Sequence, residues 1–585
     1  MDPLLHPEAS TGTTLLTHVL DRERTSLDGS WRAILDPYDT GYVSILGTRN
    51  DRGYFRDFSP RSPSDRVEYD FDTSLELEVP GDWNTQHPEL HFYEGTVWYR
   101  RHVDVTGGAL ERGRTFLNVG AANHTTRVFL DGEELATHVG GFGPFAVEVT
   151  GKLGPGRHSL VLQVNNRREP ERIPAMRTDW WNFGGITRSV DLVHVPETFL
   201  RDAWITMTPD GRLVGGATVD GDSAATVTVE IPDAGVTATV VDGRVEVAAD
   251  EAAGLERWRP GAPRHHTVRW TCGSDVLVDE VGFRTIETSG NRILVNGEET
   301  YLRGISLHAE GPTGGRRAHG PDDASTLLDW AGELGCNFVR LAHYQHDEHM
   351  VREADRRGLL VWAELPVYWG IAFANDTVLA NALDQTDELV VRDRGYAGVI
   401  LWSVANETLP GPDRTAFLTA LVGRARELDP TRLTTAALLT LPSGDTHIHV
   451  DDPLGAVVDV LAVNQYYGWY YGSVAELPEL SYTTEFGKPI VFSELGAGSK
   501  AGRHGDPAEV WTEEHQAAVY GAQIAMIRRQ PDCVGMSPWI LKDFRTPMRA
   551  LPGIQDGYNR KGLVSEEGER KLAFDVLRSY YDELS

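Results

Sequence analysis

Apolar and polar residues alternate through much of the first third of the chain. Residues 97–105, 115–132 and 158–166 follow this pattern, and turns rich in Gly, Asn and Asp separate such segments. A period of two is typical of strands with one buried face, and turn signals at intervals of roughly 8–12 residues are typical of a β-sandwich. We therefore predict a β-sandwich over residues 1–198. A second, shorter run of the same kind predicts an immunoglobulin-like β-sandwich over residues 199–287.

The pattern changes at residue 288, where continuous apolar runs of strand length begin to alternate with amphipathic stretches. Such runs are typical of parallel strands that helices cover on both faces. The predicted strands lie at residues 300–307, 337–342, 358–365, 398–405, 433–439, 458–465, 489–495 and 534–541. Eight such units predict a (β/α)8 barrel over residues 288–585. The alternative is a doubly wound open sheet, but no glycine-rich phosphate loop follows the first strand.

Two of the predicted strands end in a polar residue followed by a glutamate. The segment VILWSVANE ends at Glu407, after the fourth strand, and PIVFSELG carries Glu494 at the end of the seventh. Both positions lie at the C-terminal face of the barrel, where barrel enzymes build their active sites. A pair of carboxylates can protonate a glycosidic oxygen and attack the anomeric carbon, so the pair predicts glycoside hydrolysis. The alternative is that both are ordinary strand-end residues facing water.

The chain is strongly acidic, with a formal net charge of −31 and only six lysines among its 585 residues. A negative far field repels polyanions, which disfavours nucleic acid and anionic membranes as partners. The sequence also has no uncharged apolar stretch long enough to predict a membrane-spanning helix. An anionic substrate would therefore have to be captured by local cations against the field of the whole protein.

Cysteine usage and the N-terminal residues bear on the compartment. Cys272, Cys336 and Cys533 are far apart and odd in number, which argues against a disulfide framework and against a cysteine-based metal site. The first ten residues have no positively charged region followed by an apolar run, so no secretory signal is predicted. We expect a cytoplasmic protein.

Several long motifs occur in a fixed order along the chain. VPGDWN, EGTVWYRR and DWWNFGGITR occur in the first predicted domain, followed in the barrel by RILVNGEETYLRGISLH, NFVRLAHYQ, ADRRGLLVWAELP and VILWSVANE. With these motifs the chain resembles glycoside hydrolase family two, the family of β-galactosidase, β-mannosidase and β-glucuronidase. The resemblance implies that the first domain is a sugar-binding jelly roll and that the enzyme works without a metal or an organic cofactor. It also implies a homo-oligomer.

The family's mechanism retains the configuration of the anomeric carbon. The resemblance therefore implies that Glu407 is the acid/base, with a raised pKa, and that Glu494 is the nucleophile. Arg340 is then the candidate that keeps Glu494 ionised, and Asn406 would bind the sugar 2-hydroxyl. Tyr466 would donate to the nucleophile or orient it, with simple aromatic packing as the alternative.

Two further motifs concern the sugar. VNQYYGWYYG resembles the β-glucuronidase branch of the family and implies substrate contacts from Asn464, Tyr466 and Tyr470. GYNRKGL contains Asn559 and Lys561, which match the Asn-x-Lys element with which uronidases hold the sugar C6 carboxylate. An ammonium and an amide suit a carboxylate because both donate hydrogen bonds to it. The resemblance thus implies an exo-acting β-glucuronidase whose substrate is a β-glucuronide small molecule or oligosaccharide.

The same likeness implies three further substrate contacts, from Asp179, His308 and Trp539. For Asp179 the alternative is a structural pairing with Arg188 or Arg177, and for His308 a structural hydrogen bond. Arg545 and Arg549 are weaker candidates for additional cations near the carboxylate.

Other functions are compatible with the sequence. They are a β-galacturonidase, a neutral-sugar β-galactosidase of the same family, and a carbohydrate-binding barrel without catalysis. The short connection between Glu364 and Val399 leaves no room for a long active-site loop. It predicts an open site that admits larger leaving groups.

Overall fold

Eight parallel strands close into a barrel in the C-terminal half of the chain. The computed structural model describes residues 7, 9–44, 46–57, 62–64, 69–106, 113–440 and 446–585. The barrel strands are Leu302–Leu307, Phe338–Leu341, Leu360–Glu364, Val399–Asn406, Leu433–Leu439, Leu461–Asn464, Ile490–Glu494 and Cys533–Met536. They are numbered one to eight below. The predicted barrel is confirmed, and the alternative of an open sheet is wrong because the eighth strand pairs with the first.

Helices cover the outside of the barrel, and side-chain caps mark where several of them begin. Their bounds are Gly320–Glu333, Glu348–Arg356, Asp376–Asp393, Pro412–Leu428, Glu513–Ile527 and Leu572–Glu583. Asn375 accepts hydrogen bonds from the backbone N–H groups of Thr377 and Val378, and Thr512 accepts one from His515. These caps satisfy amide groups that have no partner inside the helix.

The strict alternation of strand and helix expected from the sequence fails between the fifth and seventh strands. The described residues there form the 3-10 helices Pro453–Ala456 and Leu477–Glu479, and the short paired strands His447–His449 and Ser481–Thr483. Apolar residues of these connections, such as Leu454 and Leu477, cover the barrel in place of helices.

The N-terminal sandwich consists of antiparallel sheets whose inner faces form a common core. One sheet has the strand order Arg24–Ser26, Val190–Val195, Arg114–Val119, Phe145–Glu148. The other has the order Leu75–Val79, Gly29–Asp36, Thr96–Val105, Gly156–Asn165, Thr125–Leu130, Glu133–Val139. Smaller elements are the helix Trp83–Gln86 and the paired strands Ala122–Asn123 and Gly185–Ile186. Trp31, Leu117, Val128 and Leu162 are buried between the sheets, as the alternating pattern predicts.

The second sandwich has seven strands in two sheets, in agreement with the predicted immunoglobulin-like fold. One sheet contains Phe199–Met207, Leu213–Asp220 and Arg244–Val247, and the other Val236–Thr239, Val227–Ile231, His265–Cys272 and Asp275–Gly282. A small sheet of Ile286–Ser289, Arg292–Val295 and Glu298–Glu299 follows. Its Ile286, Ile293 and Val295 pack with Trp258 against Leu302 and Phe338, which lie at the starts of barrel strands. The N-terminal end of the barrel is thereby closed.

Contacts between the first sandwich and the barrel fix the position of the segment that follows residue 178. His138 Nε2 lies 2.8 Å from Glu388 Oε1 on the helix Asp376–Asp393. From the same helix, Asn381 donates to the Val139 carbonyl and Gln385 to the Ile173 carbonyl. Trp181 then donates its backbone N–H to the Arg545 carbonyl at 3.0 Å, so residues 179–181 reach the mouth of the barrel.

Buried charges hold the loop after the eighth strand in place. Asp543 accepts hydrogen bonds from Lys571 Nζ at 2.8 Å, from Arg560 at 3.2 Å and from the Gly562 backbone N–H at 2.8 Å. Paired strands Phe544–Arg545 and Tyr558–Asn559 close the same loop. This arrangement fixes residues 559–562 at the barrel mouth. Among the described residues, no helix is both long and apolar enough to cross a membrane.

We predict that Gly562→Ala strongly destabilises the loop after the eighth strand. A Cβ atom at this position would overlap the backbone nitrogen of Asp543, and backbone atoms cannot move aside cheaply. The thermal midpoint should fall by several degrees. Gly521→Ala is the matched control, because Gly521 lies within the helix Glu513–Ile527 with open space around it. That control should leave the midpoint unchanged or raise it, since Ala favours a helix over Gly by about 0.5–1 kcal/mol. Equal midpoints for the two variants would contradict the prediction.

Candidate active site

Glu407 and Glu494 converge at the C-terminal mouth of the barrel. Glu494 ends the seventh strand, and Glu407 directly follows the fourth. Asn464, at the end of the sixth strand, lies between their strands: its Nδ2 donates to Glu407 Oε1 at 3.1 Å, and its Oδ1 accepts from Ser493, the residue before Glu494, at 2.7 Å. The charge of Glu494 also raises the pKa of Glu407. Two strand-end glutamates on separate surfaces would not interact in this way.

The carboxylate of Glu494 is held on both oxygens. Arg340, on the second strand and without exposed surface, donates to Oε1 at 2.8 Å. The Tyr466 hydroxyl donates to Oε2 at 2.6 Å. Hydrogen bonds to the charged form of a carboxylate stabilise that form. Arg340 and Tyr466 therefore lie where the sequence analysis expected them, on the carboxylate of Glu494.

A third buried carboxylate, Glu364, lies behind this pair. It ends the third strand and accepts hydrogen bonds from Arg340, from Trp362 Nε1 at 2.9 Å and from Ser403 at 2.8 Å. His343 Nδ1 also lies 2.7 Å from it. Burial raises the pKa of Glu364, but the Arg340 charge and these contacts outweigh burial and hold the pKa at about 2. Glu364 is therefore ionised, and it fixes the guanidinium that reaches Glu494.

Glu407 has the opposite electrostatic environment. Burial at the base of the pocket and the neighbouring Glu494 charge raise its pKa to about 7, the direction expected from the sequence. Hydrogen bonds from Trp369 and Asn464 oppose this rise but do not cancel it. Glu407 is thus placed to hold a proton close to neutral pH, as a general acid requires.

Asn406 presents an unused donor to the pocket. Its Oδ1 accepts hydrogen bonds from Arg340 at 2.8 Å and from Asn464 at 3.1 Å, so the orientation of the amide is fixed. Its Nδ2 is buried and has no partner among the described residues. A buried unpaired N–H is costly unless a ligand pairs with it. This donor lies beside Glu407, the place expected for a contact to the substrate.

Aromatic side chains form one wall of the pocket. The Trp539 ring stacks on His343 at 4.7 Å and meets the His308 ring edge-on at 5.1 Å. His308 Nδ1 lies 3.1 Å from the Tyr344 hydroxyl, whereas Nε2 is buried and unpartnered within the described part of the chain. Burial holds the pKa of His308 well below its ordinary value, so the ring is neutral. His308 thus combines the structural hydrogen bond of the alternative interpretation with a free ring nitrogen.

A cationic pocket of about 290 Å³ lies beside Tyr466. Its lining includes Trp469, Tyr470, Arg549, Asn559, Arg560 and Lys561. Lys561 is only 4% exposed, and its ammonium donates to the Tyr470 hydroxyl at 2.5 Å and lies 5.1 Å from the Tyr466 ring centre. No carboxylate pairs with Lys561 among the residues that the structure describes. The pocket therefore contains a buried cation without an anionic partner.

Asp179 reaches the same pocket from the first sandwich. Its carboxylate accepts hydrogen bonds from Thr546 at 2.8 Å, Arg549 at 2.7 Å and Asn559 at 3.1 Å. The structural pairing of Asp179 with Arg188 or Arg177, considered from the sequence, is wrong, because Asp179 pairs with Arg549. Arg188 instead donates to the Phe142 and Gln345 carbonyls.

Arg545 and Arg549, the weaker candidates for cations near the sugar carboxylate, take different positions in the structure. Arg549 lines the cationic pocket. Arg545 turns away from it, toward His91 at 3.4 Å and the Tyr558 ring at 5.4 Å.

Sequence reasoning missed Glu364, His343 and Trp369. Glu364 carries the same signal as the other two glutamates, an apolar strand that ends in Glu, and that signal was sufficient to find it. His343 lies three residues beyond Arg340, within a motif already singled out for the family resemblance. Trp369 has no comparable signal, because it lies in an irregular connection after the third strand and its role depends on where that connection folds.

One group of possible metal ligands lies away from the barrel mouth. Atoms of His18, Asp21 and Asp279 lie within 4.8 Å of one another. Asp21 is engaged by Arg352 at 2.7 Å, and His18 Nε2 lies 2.8 Å from the Ala203 carbonyl. These contacts fit a role in joining the chain segments.

We predict that Glu364→Ala destabilises the barrel by about 3–5 kcal/mol, because it removes one partner of a buried ion pair. The folded-state pKa of Glu364 is depressed, so its contribution is present above the ordinary carboxyl pKa and lost as pH falls toward 2. Denaturant unfolding at pH 7 measures the effect. Glu333→Ala is the control, because Glu333 forms an exposed pair with Arg570 that is worth about 0–1 kcal/mol. A cost for Glu364→Ala no larger than that of the control would contradict the prediction.

Comparison with known proteins assigns the chain to a family. The profile of the glycosyl hydrolases family 2 TIM barrel domain matches residues 286–585, and that of the family 2 sugar binding domain matches residues 25–196. The chain is 29% identical to a β-glucuronidase of Paenibacillus borealis in an alignment 622 residues long, gaps included, that covers 97% of this chain and 98% of the relative. It is 28% identical to the Homo sapiens β-glucuronidase over 625 residues, which cover 96% and 91%. A Bifidobacterium dentium β-glucuronidase, solved in complex with coumarin-3-O-glucuronide, has a TM-score of 0.81 and 25% identity and covers 96% of this chain and 97% of that one. The chain belongs to glycosyl hydrolase family 2 and is a glycosidase.

Proposed function

We propose that the protein is a retaining exo-β-glucuronidase that removes a terminal β-linked glucuronic acid by double displacement. The observation that carries this proposal is the position of Lys561. The buried ammonium of Lys561, which has no anionic partner within the described ranges of the chain, lies in a pocket that adjoins Tyr466, the residue that binds Glu494. A sugar carboxylate at C6 is the anion that fits a cation next to a catalytic carboxylate pair.

In the first step, an oxygen of Glu494 attacks the anomeric carbon. Glu407 gives its proton to the glycosidic oxygen, the C1–O bond breaks, and the leaving group departs as an alcohol. The hydrogen bonds from Arg340 and Tyr466 support this role because they hold both oxygens of the attacking carboxylate in place. The raised pKa of Glu407 supports its role as the acid, since a carboxyl with a pKa of about 7 still holds much of its proton at neutral pH.

In the second step, a water molecule attacks the same carbon from the side that the leaving group has vacated. Glu407 now accepts the proton from the water, and the bond between C1 and Glu494 breaks. Once Glu494 is esterified, its charge no longer raises the pKa of Glu407, which suits Glu407 to act as a base. The free N–H of Asn406 is suited to bind the sugar 2-hydroxyl, a contact that strengthens in the transition state.

Recognition of the uronic acid would involve Lys561, Asn559 and Arg549. Charge-assisted hydrogen bonds to a carboxylate are roughly twice as strong as neutral ones. A neutral hexose would leave the Lys561 ammonium buried without an anion, which costs binding energy. The names of the relatives support this choice of sugar, as does the glucuronide in the Bifidobacterium dentium structure.

We predict that Lys561→Ala lowers kcat/KM for p-nitrophenyl β-glucuronide by roughly 10- to 150-fold, the equivalent of one hydrogen bond to a charged group. The variant should change the rates on the β-galactoside and the β-mannoside far less. Lys500→Ala is the control, because Lys500 is a partly exposed lysine that does not line the pocket. Steady-state kinetics on the four p-nitrophenyl glycosides, including the β-galacturonide, measure both sugar preference and the variant effects. Comparable wild-type rates on the hexosides would overturn the uronide assignment, and preference for the galacturonide would assign the C4 epimer.

We predict that Glu494→Ala abolishes turnover and that azide restores it. Azide would enter on the face vacated by Glu494 and yield the α-glucuronosyl azide, with inverted configuration. Glu407→Ala is the matched variant. With an activated 2,4-dinitrophenyl glucuronide and azide it should yield the β-azide, because the covalent intermediate still forms on Glu494. NMR of the products distinguishes the two configurations. The reverse assignment of α and β products would exchange the proposed roles of the two glutamates.

A further inference from the structure

Trp369 holds one oxygen of Glu407. Its indole Nε1 donates to Glu407 Oε2 at 2.9 Å, whereas Asn464 donates to the other oxygen, Oε1, at 3.1 Å. The backbone N–H of Trp369 also donates to the Asn406 carbonyl at 3.2 Å. The residue is therefore attached to the fourth strand by its backbone and to Glu407 by its side chain.

The backbone at both ends of this hydrogen bond is unusual. Trp369 has a φ of 52° and Glu407 a φ of 50°, in the left-handed region that non-glycine residues rarely adopt. Such conformations persist only where the surroundings enforce them, and they concentrate at functional sites. Here they turn the two side chains toward each other. The Tyr368 ring, 4.5 Å from the Trp369 ring, supports the indole from the protein side.

An apolar segment, residues 369–373, begins at Trp369, the residue that contacts Glu407. Its sequence is WGIAF, it carries no charge, and each of its side chains keeps exposed surface. Leu409, two residues beyond Glu407, is 65% exposed. The glycosidic oxygen must lie within hydrogen-bond reach of Glu407 to receive its proton. The first atoms of the leaving group must therefore lie next to the Trp369 indole.

Few groups other than Trp369 can shift the pKa of Glu407. Glu494 on the seventh strand and Arg340 on the second act on it through space. Three tyrosines also face it, Tyr368 from the third connection and Tyr466 and Tyr471 from the sixth. Burial raises the pKa of each of these tyrosines above its ordinary value, so all three are neutral. Among the described residues, direct hydrogen bonds to the carboxylate come from Trp369 and Asn464.

We propose that Trp369 is a positioning and specificity residue that joins binding of the leaving group to proton donation. Its N–H fixes the orientation of Glu407, and its ring forms the wall on which the leaving group stacks. The substrates that this site favours are β-glucuronides of flat, apolar leaving groups such as phenols. The inference about the leaving group rests on the proposed glucuronidase function. The hydrogen bond to Glu407 does not.

The first experiment tests the hydrogen bond without any substrate. Glu407 is titrated by infrared difference spectroscopy, with the Glu407→Gln variant as the reference, in the wild type and in Trp369→Phe. Loss of an N–H that stabilises the carboxylate raises the pKa of Glu407, so the titration should move to higher pH by about one unit. The alkaline limb of kcat/KM, near pH 7 in the wild type, should move upward by the same amount because the acid form persists longer.

Two controls keep this result interpretable. Trp204→Phe removes an indole from the second sandwich, where Trp204 lies against Arg394, and should leave the titration unchanged. Insertion of 3-benzothienylalanine at position 369 replaces the N–H by sulfur at nearly constant shape, and should reproduce the shift even if Trp369→Phe folds poorly. An unchanged pKa in the benzothienyl variant overturns the positioning role, whatever the enzyme hydrolyses.

The second experiment tests the wall. We expect Trp369→Ala to raise KM for 4-methylumbelliferyl β-glucuronide by about 2- to 12-fold, the loss of one aromatic stacking contact. KM for methyl β-glucuronide, which has nothing to stack, should stay within experimental error. Trp369→Phe, which keeps a ring, should preserve the KM of the aryl substrate.

The outcomes separate the two proposals. If the wild type hydrolyses glucuronides but Trp369→Ala changes both KM values equally, the wall is overturned and the glucuronidase function stands. Wild-type preference for a glucuronosyl disaccharide over the aryl glucuronide would overturn the choice of leaving group. Failure of the wild type to hydrolyse any glucuronide would instead overturn the proposed function, while the titration of Glu407 would still decide the role of the Trp369 hydrogen bond.

Discussion

The site depends on one buried guanidinium that two carboxylates share. Arg340 has no exposed surface, and Glu364 and Glu494 both accept hydrogen bonds from its guanidinium, so its buried charge is paired on two sides. Burial alone would lower the pKa of Arg340, and the two carboxylates instead hold it above its ordinary range. The triad has one negative charge more than positive ones. Burial and the charge of Glu494 raise the pKa of Glu407, and the charge of Arg340 opposes that rise.

The local and global electrostatics of the protein have opposite signs. The chain carries a net charge of −31, yet the pocket beside Tyr466 gathers Lys561, Arg549 and Arg560. Screening confines the far field to about a Debye length, roughly 8–10 Å in physiological salt. Contacts of a buried group are screened much less, so the buried Lys561 can select an anion that the protein surface repels.

Separate units of the chain supply a single pocket. The barrel provides the carboxylates, the first sandwich provides Asp179 and Trp180, and the loop after the eighth strand provides Asn559 and Lys561. The loop is fixed by the buried Asp543, and the sandwich by its contacts with the helix Asp376–Asp393. Stability and function are coupled here, because a shift of either unit would move a group that lines the site.

The sequence by itself determined the architecture and located the two glutamates to which the proposed mechanism assigns the reaction. Continuous apolar strands are buried on both faces, and strands that alternate apolar and polar residues are buried on one face. This difference distinguished the barrel from the sandwiches. The C-terminal ends of the barrel strands lie at the barrel mouth, so glutamates at those ends were candidates for the site, and the same rule extends to Glu364. The pairing of Asp179 with Arg549, 370 residues apart, was decided only by the tertiary structure. So were the free N–H of Asn406 and the turn of Trp369 toward Glu407. These depend on how irregular connections fold against each other, and no periodicity encodes that geometry.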